Sequence, residues 1–385
     1  MVPEKRVLIT KFPFRSSLGG VEKHTFEIVE NLEGKGIKFH LLSSCPVMIS
    51  EFKKRGLPHQ RWWLGLAPVN ALSKALFLLS LPLLIMSGLT GLIFARVKYK
   101  VDTLYCLTLT EKLVLTPLAA MLGFKVLWFE HLSLEPVISK NVYLFLYKLW
   151  SDLATIVAVS DFVKEELTAI GVENAPVIYH GIDVEKYVRQ KNLFSAMADG
   201  LSVEYGKKNF TVGYVGRLEK VKGVEYLVMA VAALKEKIPE IDLVIVGEGS
   251  EKAQLIWLAE QLGLRGQVKF VGYKDDYIGW LKDFDVFVLP SVKESLGIIL
   301  LEAMACGCPV VAAKVGGVVE VVDHEKTGLL AEPKSSAALA EAIERVYKEK
   351  ELVGAMKGKA LSNVKEKFAQ EEMVEKYRRL ILGQL

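Results

Sequence analysis

Asp285-Val286-Phe287-Val288-Leu289-Pro290-Ser291-Val292-Lys293-Glu294-Ser295-Leu296-Gly297-Ile298-Ile299-Leu300-Leu301-Glu302-Ala303-Met304-Ala305-Cys306-Gly307-Cys308-Pro309-Val310-Val311-Ala312-Ala313 is the stretch that decides the fold. Two short runs rich in β-branched and aromatic residues, Val286–Leu289 and Val310–Ala313, flank a segment of helical character. Continuous apolar runs of this length suit strands buried on both faces, as in a parallel sheet covered by helices. The helix opens after a strand, so the amides of Ser295, Leu296 and Gly297 lie at the positive end of its dipole. That arrangement suits a diphosphate, and it sits at the carboxyl end of a strand, where open α/β sheets bind ligands. Glu294 and Glu302 are separated by roughly 12 Å if helical. Carboxylates at that spacing can accept hydrogen bonds from the vicinal hydroxyls of a sugar and a ribose.

The same alternation extends in both directions. Toward the N-terminus the strand candidates are Val7–Thr10, Phe39–Ser44, Thr103–Leu107, Val126–Phe129, Thr155–Ser160 and Val177–Tyr179. The second half adds Val212–Val215, Leu243–Val246 and Val268–Val271, with amphipathic stretches such as Val224–Lys237 and Ser335–Lys348 between strands. Strand–helix–strand repetition on this scale predicts an α/β protein with two Rossmann-like domains. A chain of 385 residues exceeds one ordinary core. The polar, aperiodic stretch from Arg189 to Lys208 reads as the linker, giving domains over 1–188 and 189–368.

The chain holds 49 basic and 45 acidic side chains, too even a balance to imply a nucleic-acid partner. The charge is unevenly placed, however: Lys35 to Trp150 carries an excess of +9 and the remainder −5. One region is therefore expected to meet an anionic surface. Cys45, Cys106, Cys306 and Cys308 fit neither a disulfide framework nor a zinc motif, which favours a reducing compartment. The apolar run after Arg6 is too short for a signal-peptide core, and a cytoplasmic protein is expected.

Ala75–Ala95 reads ALFLLSLPLLIMSGLTGLIFA, without a charge between Lys74 and Arg96. Its length would suffice to span a bilayer. A spanning segment would divide the first sheet across the membrane, so two other readings are preferred. One is a buried helix pair broken near Pro82 and Gly88-Gly91; the other is a helix lying in the interface.

Further candidates sit at strand ends. Gly213-Tyr214-Val215-Gly216-Arg217-Leu218 leads to Lys222-Gly223, which sets Arg217 and Lys222 just after a strand. Leu18-Gly19-Gly20-Val21-Glu22 follows the first strand, where Gly19 and Gly20 allow close approach of backbone to ligand. His131 ends the strand Val126–Phe129. Asp283-Phe284-Asp285 matches an Asp-x-Asp metal motif but bridges a helix and a strand, and is read as structural. Gly247-Glu248-Gly249 fails as a dinucleotide fingerprint because Lys252 stands where the third glycine belongs. No metal and no cofactor are expected.

The segment from Glu294 to Glu302, with Pro290-Ser291 before it and Gly307, Pro309-Val310-Val311, Gly316-Gly317 and Thr327-Gly328-Leu329-Leu330 after it, resembles the Glu-x7-Glu signature of the retaining GT-B glycosyltransferases. That large family includes sucrose synthases and phosphatidylinositol mannosyltransferases. The resemblance implies a GT-B fold, two Rossmann-like domains facing a central cleft, with a C-terminal helix, about 369–385, crossing back to the first domain. It implies that Glu294, Ser295, Leu296 and Gly297 hold the donor sugar and Glu302 the ribose, and that Arg217 and Lys222 hold the diphosphate. Gly19 and Gly20 would then close over the donor, and His131 would lie near the reacting sugar. No protein nucleophile follows from it. The expected activity is transfer of a hexose-type sugar from a nucleotide-diphosphate sugar to a lipid or lipid-linked glycan acceptor, at the inner face of the membrane. Two other readings are a nucleotide-sugar 2-epimerase of the same fold and a non-catalytic nucleotide-sugar binder.

Overall fold

A computed structural model describes residues 4–12, 19–65, 71–131, 142–189 and 209–384. The chain divides into two compact units, Met1–His180 with Glu372–Leu385, and Gly181–Glu371. These boundaries differ from those expected at 188/189 and 368/369. The expected linker lies, beyond Arg189, outside the described residues.

The first unit is built on six parallel strands: β1 (Lys5–Lys11), β2 (Ile37–Ser43), β3 (His59–Arg61), β4 (Thr103–Cys106), β5 (Lys125–Glu130) and β6 (Thr155–Ala158). Their order is β3-β2-β1-β4-β5-β6, so the sheet reverses direction of growth between β1 and β4. Alternate side chains enter opposite cores. Val7, Ile9, Tyr105, Leu127 and Phe129 pack on one face, with α1 (Gly20–Leu32) and α2 (Pro46–Lys54). Leu8, Leu104, Cys106, Val126 and Trp128 pack on the other. There they meet α3 (Ala71–Tyr99), α4 (Leu109–Met121), α5 (Val142–Ser151) and α6 (Asp161–Ala169). Val177–Tyr179 is not a strand: Val177 makes only an isolated bridge to Ala158.

The second unit repeats the plan. After α7 (Val184–Arg189) come β7 (Phe210–Val215), α8 (Val224–Leu234), β8 (Ile241–Val246), α9 (Lys252–Gln261), β9 (Val268–Gly272), α10 (Ile278–Asp283), β10 (Val286–Leu289), α11 (Ile298–Ala305), β11 (Val310–Ala313), α12 (Val318–Val321) and β12 (Leu329–Ala331). The strand order is β12-β11-β10-β7-β8-β9, all parallel, with the reversal between β7 and β10. Then follow α13 (Ser336–Lys348), α14 (Lys350–Lys367) and α15 (Gln370–Leu382). The last helix belongs to the first unit. Its Met373, Tyr377, Leu380 and Ile381 enter the core with Val7 and Phe129, and Lys125 Nζ donates to the Leu380 carbonyl at 2.5 Å.

The apolar run is one helix, not a broken pair. α3 continues through Pro82 for 29 residues, about 43 Å. The glycines serve contact instead of breakage. A Cβ on Gly88 would come within 2.9 Å of Leu115 Cδ2, and one on Gly91 within 2.9 Å of the Trp62 indole nitrogen. Phe77, Leu84, Leu92 and Ala95 line the buried side, while the opposite stripe of Leu79, Leu83, Met86, Ile93 and Val97 is exposed, Leu79 by 80% and Val97 by 76%. A helix apolar on both sides has more hydrophobic surface than its own unit covers.

Candidate functional site

In the second unit, two loops leave the sheet on either side of the β7/β10 reversal. Tyr214, buried at the end of β7, donates its hydroxyl to the Arg217 carbonyl at 2.9 Å and shapes the turn that follows. The chain then makes a short 3-10 turn over Lys220–Lys222, closed by Lys222 N donating to Glu219 O at 2.8 Å. Gly223 ends it with φ of +61°, and a Cβ there would lie 2.3 Å from the Pro290 carbonyl oxygen. Only glycine permits both the left-handed backbone and that approach. The β10 loop is fastened to this turn by Val292 N donating to Val221 O at 2.9 Å.

Between the two loops, Lys222 Nζ lies 2.6 Å from Glu294 Oε2, with both side chains largely buried. Ser291, fully buried, donates to the same carboxylate oxygen at 3.2 Å. The Glu294 carbonyl accepts from Gly317 N at 3.1 Å. Glu294 is therefore held by three different segments. It lies in the loop and not on the helix: α11 begins at Ile298, behind Gly297 with φ of +86°. The helical spacing expected between Glu294 and Glu302 does not apply, since the turn at Gly297 interrupts it. Ser295, Leu296 and Gly297 stand where expected, immediately before the helix.

Glu302 is buried on α11, and its Oε1 accepts the phenol hydroxyls of Tyr187 and Tyr277, each at 2.8 Å. Neither tyrosine was found by sequence reasoning; they come from α7 and the loop before α10, with nothing in spacing to connect them. Arg217 has a different ion-pair partner from Lys222. Its side chain is 56% exposed and pairs with Glu219 at 2.6 Å.

The Asp-x-Asp pair is divided. Asp285 Oδ2 accepts from Thr211 N at 2.8 Å, and its own amide donates to Thr211 O at 3.0 Å, tying β10 to β7. Asp283 ends α10, and its buried Oδ2 has no partner among the described residues. Burial pushes its carboxyl up to about 6. Gly247 and Gly249 belong to a backbone junction: Leu218 N donates to Glu248 O at 2.9 Å and Glu251 N to Leu218 O at 2.9 Å.

In the first unit, Gly19 and Gly20 open α1. Glu22 reaches back to accept from Gly19 N at 3.0 Å and also pairs with Lys11 at the end of β1; both charged side chains are buried. The glycine loop is thus braced by an ion pair that the Gly-Gly signal alone does not reveal. After β4, Glu111 reaches back to Thr108 N at 2.9 Å, and burial raises its carboxyl to about 7. Lys112 Nζ meets Glu130 Oε1 at 2.5 Å, an oxygen that also accepts from Tyr147 at 2.6 Å. His131 follows directly and is buried, with Nδ1 3.3 Å from His180 Nε2. Burial, reinforced by His180, Lys112 and Lys11, holds its imidazole well below the usual histidine range, so the ring is neutral. His24 and His180 are driven down by burial in the same way, His180 to about 3.

Each half of the chain thus presents a doubly wound parallel sheet with its candidate residues at the carboxyl ends of the strands. Two such sheets in succession, the last helix returning to the first, define the GT-B class. The Anabaena protein HepE, solved with UDP, matches with a TM-score of 0.82 over 99% of this chain and 100% of that one, at 22% identity. Residues 18–186 match the family described as Glycosyltransferase Family 4 and residues 202–362 that described as Glycosyl transferases group 1. The chain thus has the GT-B fold, and its two parts match two glycosyltransferase family models in turn, each over less than half of its length. An uncharacterized glycosyltransferase of Methanocaldococcus jannaschii is 31% identical over 62% of either chain. The N-acetyl-alpha-D-glucosaminyl L-malate synthase of Bacillus anthracis is 33% identical over 50% of this chain and 51% of its own. The chain thus spans less than two thirds of the length of these curated relatives.

Proposed function

We propose that the protein is a retaining hexosyltransferase that takes its sugar from a nucleotide-diphosphate donor held in the second unit. The observation that carries this reading is the Lys222–Glu294 contact at 2.6 Å, set at the sheet reversal beside the first turn of α11. A carboxylate there can accept sugar hydroxyls, while the ammonium and the amides of Ser295–Gly297 receive phosphate oxygens. The similarity to a protein solved with UDP-glucose supports the donor class. In the reaction, the bond from the anomeric carbon to the leaving phosphate oxygen breaks and the acceptor oxygen attacks the same face. The acceptor proton passes to a phosphate oxygen, so no protein nucleophile is needed. Arg217 and Lys222 stabilise the leaving diphosphate without a divalent metal. His131, kept neutral by its burial, is the residue proposed to serve the sugar, as the family resemblance implies.

The acceptor is proposed to be a lipid or lipid-linked glycan, met at the cytoplasmic face of the membrane. The exposed stripe of α3 from Leu79 to Val97, the half-exposed Trp63 and the basic residues Arg96, Lys98 and Lys100 that follow suit an interfacial helix. Each surface cation adds about 1 kcal/mol of attraction to an anionic bilayer.

A thermal-shift screen against UDP-, GDP- and ADP-sugars, followed by transfer assays, tests the donor reading. One donor class should raise Tm; no shift with any would overturn it. Product formation without an acceptor would indicate an epimerase, and binding without turnover a silent binder. Co-sedimentation with anionic vesicles at low salt tests the membrane reading. Failure to bind, with a detergent-free soluble protein, would return the acceptor to solution.

A further inference from the structure

We propose that His24, His131 and His180 form a binding site for one borderline transition-metal ion, of which zinc(II) is the representative. The three histidines come from α1, the end of β5 and the last residue of the first unit's main segment, and all are buried. One ring nitrogen from each lies within 4.8 Å of the other two. The ring centroids are 3.9 Å apart for His24 and His180 and 5.1 Å for His24 and His131.

Two observations point to a ligand. First, both nitrogens of His24 are buried without a hydrogen-bond partner among the described residues. A neutral imidazole must place one donor and one acceptor, and each buried orphan costs about 1–3 kcal/mol. Tyr377, whose ring lies 5.2 Å from that of His24, has an unpartnered buried hydroxyl as well. Second, His131 Nδ1 and His180 Nε2 are separated by 3.3 Å. That separation lies within hydrogen-bonding reach when one of the two rings carries the proton. It matches the nitrogen–nitrogen edge of a tetrahedron around zinc, about 3.3 Å when each Zn–N bond is ~2.0–2.1 Å.

The donor set selects the ion. Three imidazoles, with no carboxylate beside them among the described residues, suit zinc, cobalt, nickel or copper and do not suit magnesium or calcium, which require oxygen. Three nitrogens leave one tetrahedral position, which a water would fill. Metal at Nδ1 of His131 would fix that ring and place its proton on Nε2. This inference concerns the first unit alone and does not rest on the donor chemistry proposed for Lys222 and Glu294. Ordered water is the other occupant the orphaned nitrogens could have.

Titration of the metal-stripped full-length protein with cobalt(II) tests the site. The expected result is a tetrahedral ligand-field absorption that saturates at one equivalent, is displaced by zinc and accompanies a rise in Tm. His24→Leu and His180→Asn should each weaken binding at least about tenfold, with folding checked by circular dichroism. No band from the folded wild-type protein, or an undiminished band in the folded double variant, would overturn the proposal. The remaining histidines, His40, His59 and His324, would then account for any such band. Should the variants fail to fold, X-ray absorption of the zinc-loaded wild type decides. Three imidazoles around the metal support the site, and fewer refute it.

Discussion

The ammonium of Lys222 lies 2.6 Å from Glu294 Oε2, so a cation and an anion assigned to the same donor neutralise one another before any donor is present. The pair is largely buried, and removal of either partner leaves the other charge uncompensated. Donor binding must therefore exchange one ion contact for several. In the proposed reading, the diphosphate would take the lysine and sugar hydroxyls the carboxylate.

Glu294→Ala and Arg217→Ala are each expected to lose about 2–4 kcal/mol of transition-state stabilisation, a hundredfold or more in kcat/KM. Arg217 is exposed and its variant should keep the wild-type Tm. Lys222→Ala with Glu294→Ala should lose less than the sum of the single losses, because the two act as a unit. Steady-state kinetics on folded variants measures this. Near-normal kcat/KM in either Glu294→Ala or Arg217→Ala would remove that residue from the site.

Tyr187 and Tyr277 both donate to Glu302 Oε1 at 2.8 Å. If that carboxylate binds ribose, the two phenols set its orientation. Tyr187→Phe and Tyr277→Phe should each raise the donor KM several-fold and change kcat little, as expected for lost ground-state positioning. An equal fall in kcat with an unchanged KM would place the tyrosines in the chemical step instead.

Asp283 ends α10 with a carboxyl raised to about 6 by burial, from a usual value near 3.8. Its carboxylate also faces the negative end of the helix dipole. A folded-state pKa above the unfolded one means that the native protein binds the extra proton. Stability is then lost as pH rises from about 4 to about 6. Asp283→Asn should consequently stabilise the protein above pH 6, by about 1 kcal/mol after allowance for its partial exposure. That corresponds to roughly 2–4 °C in Tm. Melting curves at pH 4.5 and pH 7.5 check it; an equal effect at both would refute the titration.

Transfer is expected to persist in excess chelator, since Asp285 is engaged with the Thr211 backbone and Asp283 lies apart in a buried setting. An activity lost to chelator and restored by millimolar magnesium or manganese would mean that oxygen ligands at the donor were overlooked. Restoration by zinc alone would point to the nitrogen triad instead.

Most strands were legible because they are buried on both sides and therefore read as unbroken apolar runs. Val286–Leu289 and Val310–Ala313 lie where they were expected. β3 (His59–Arg61) and β12 (Leu329–Ala331) were missed: they are three-residue edge strands, and His-Gln-Arg gives no apolar signal. The loops around Lys222 and Glu294 could be placed from strand ends. Their direct contact could not, for it depends on how far β7 and β10 carry each loop. Partners far apart in sequence were invisible for the same reason: Tyr187 and Tyr277 around Glu302, Lys11 against Glu22, and the three histidines. Pro82 and Gly88-Gly91 misled, because a proline within a long apolar helix removes one hydrogen bond without ending it. Those glycines answer to the bulk of Leu115 and Trp62.

The return of α15 to the first sheet has a consequence for biogenesis. Val7, Phe129 and Tyr377 share a core, yet Tyr377 is translated only after the whole segment Gly181–Glu371. At about 5–20 residues per second, a ribosome needs on the order of 10–40 s to cross that interval. During it the nascent N-terminal sheet has one apolar face incompletely covered while the later sheet is still emerging. Chaperone occupancy should therefore fall in two steps, the second only when the final helix leaves the exit tunnel.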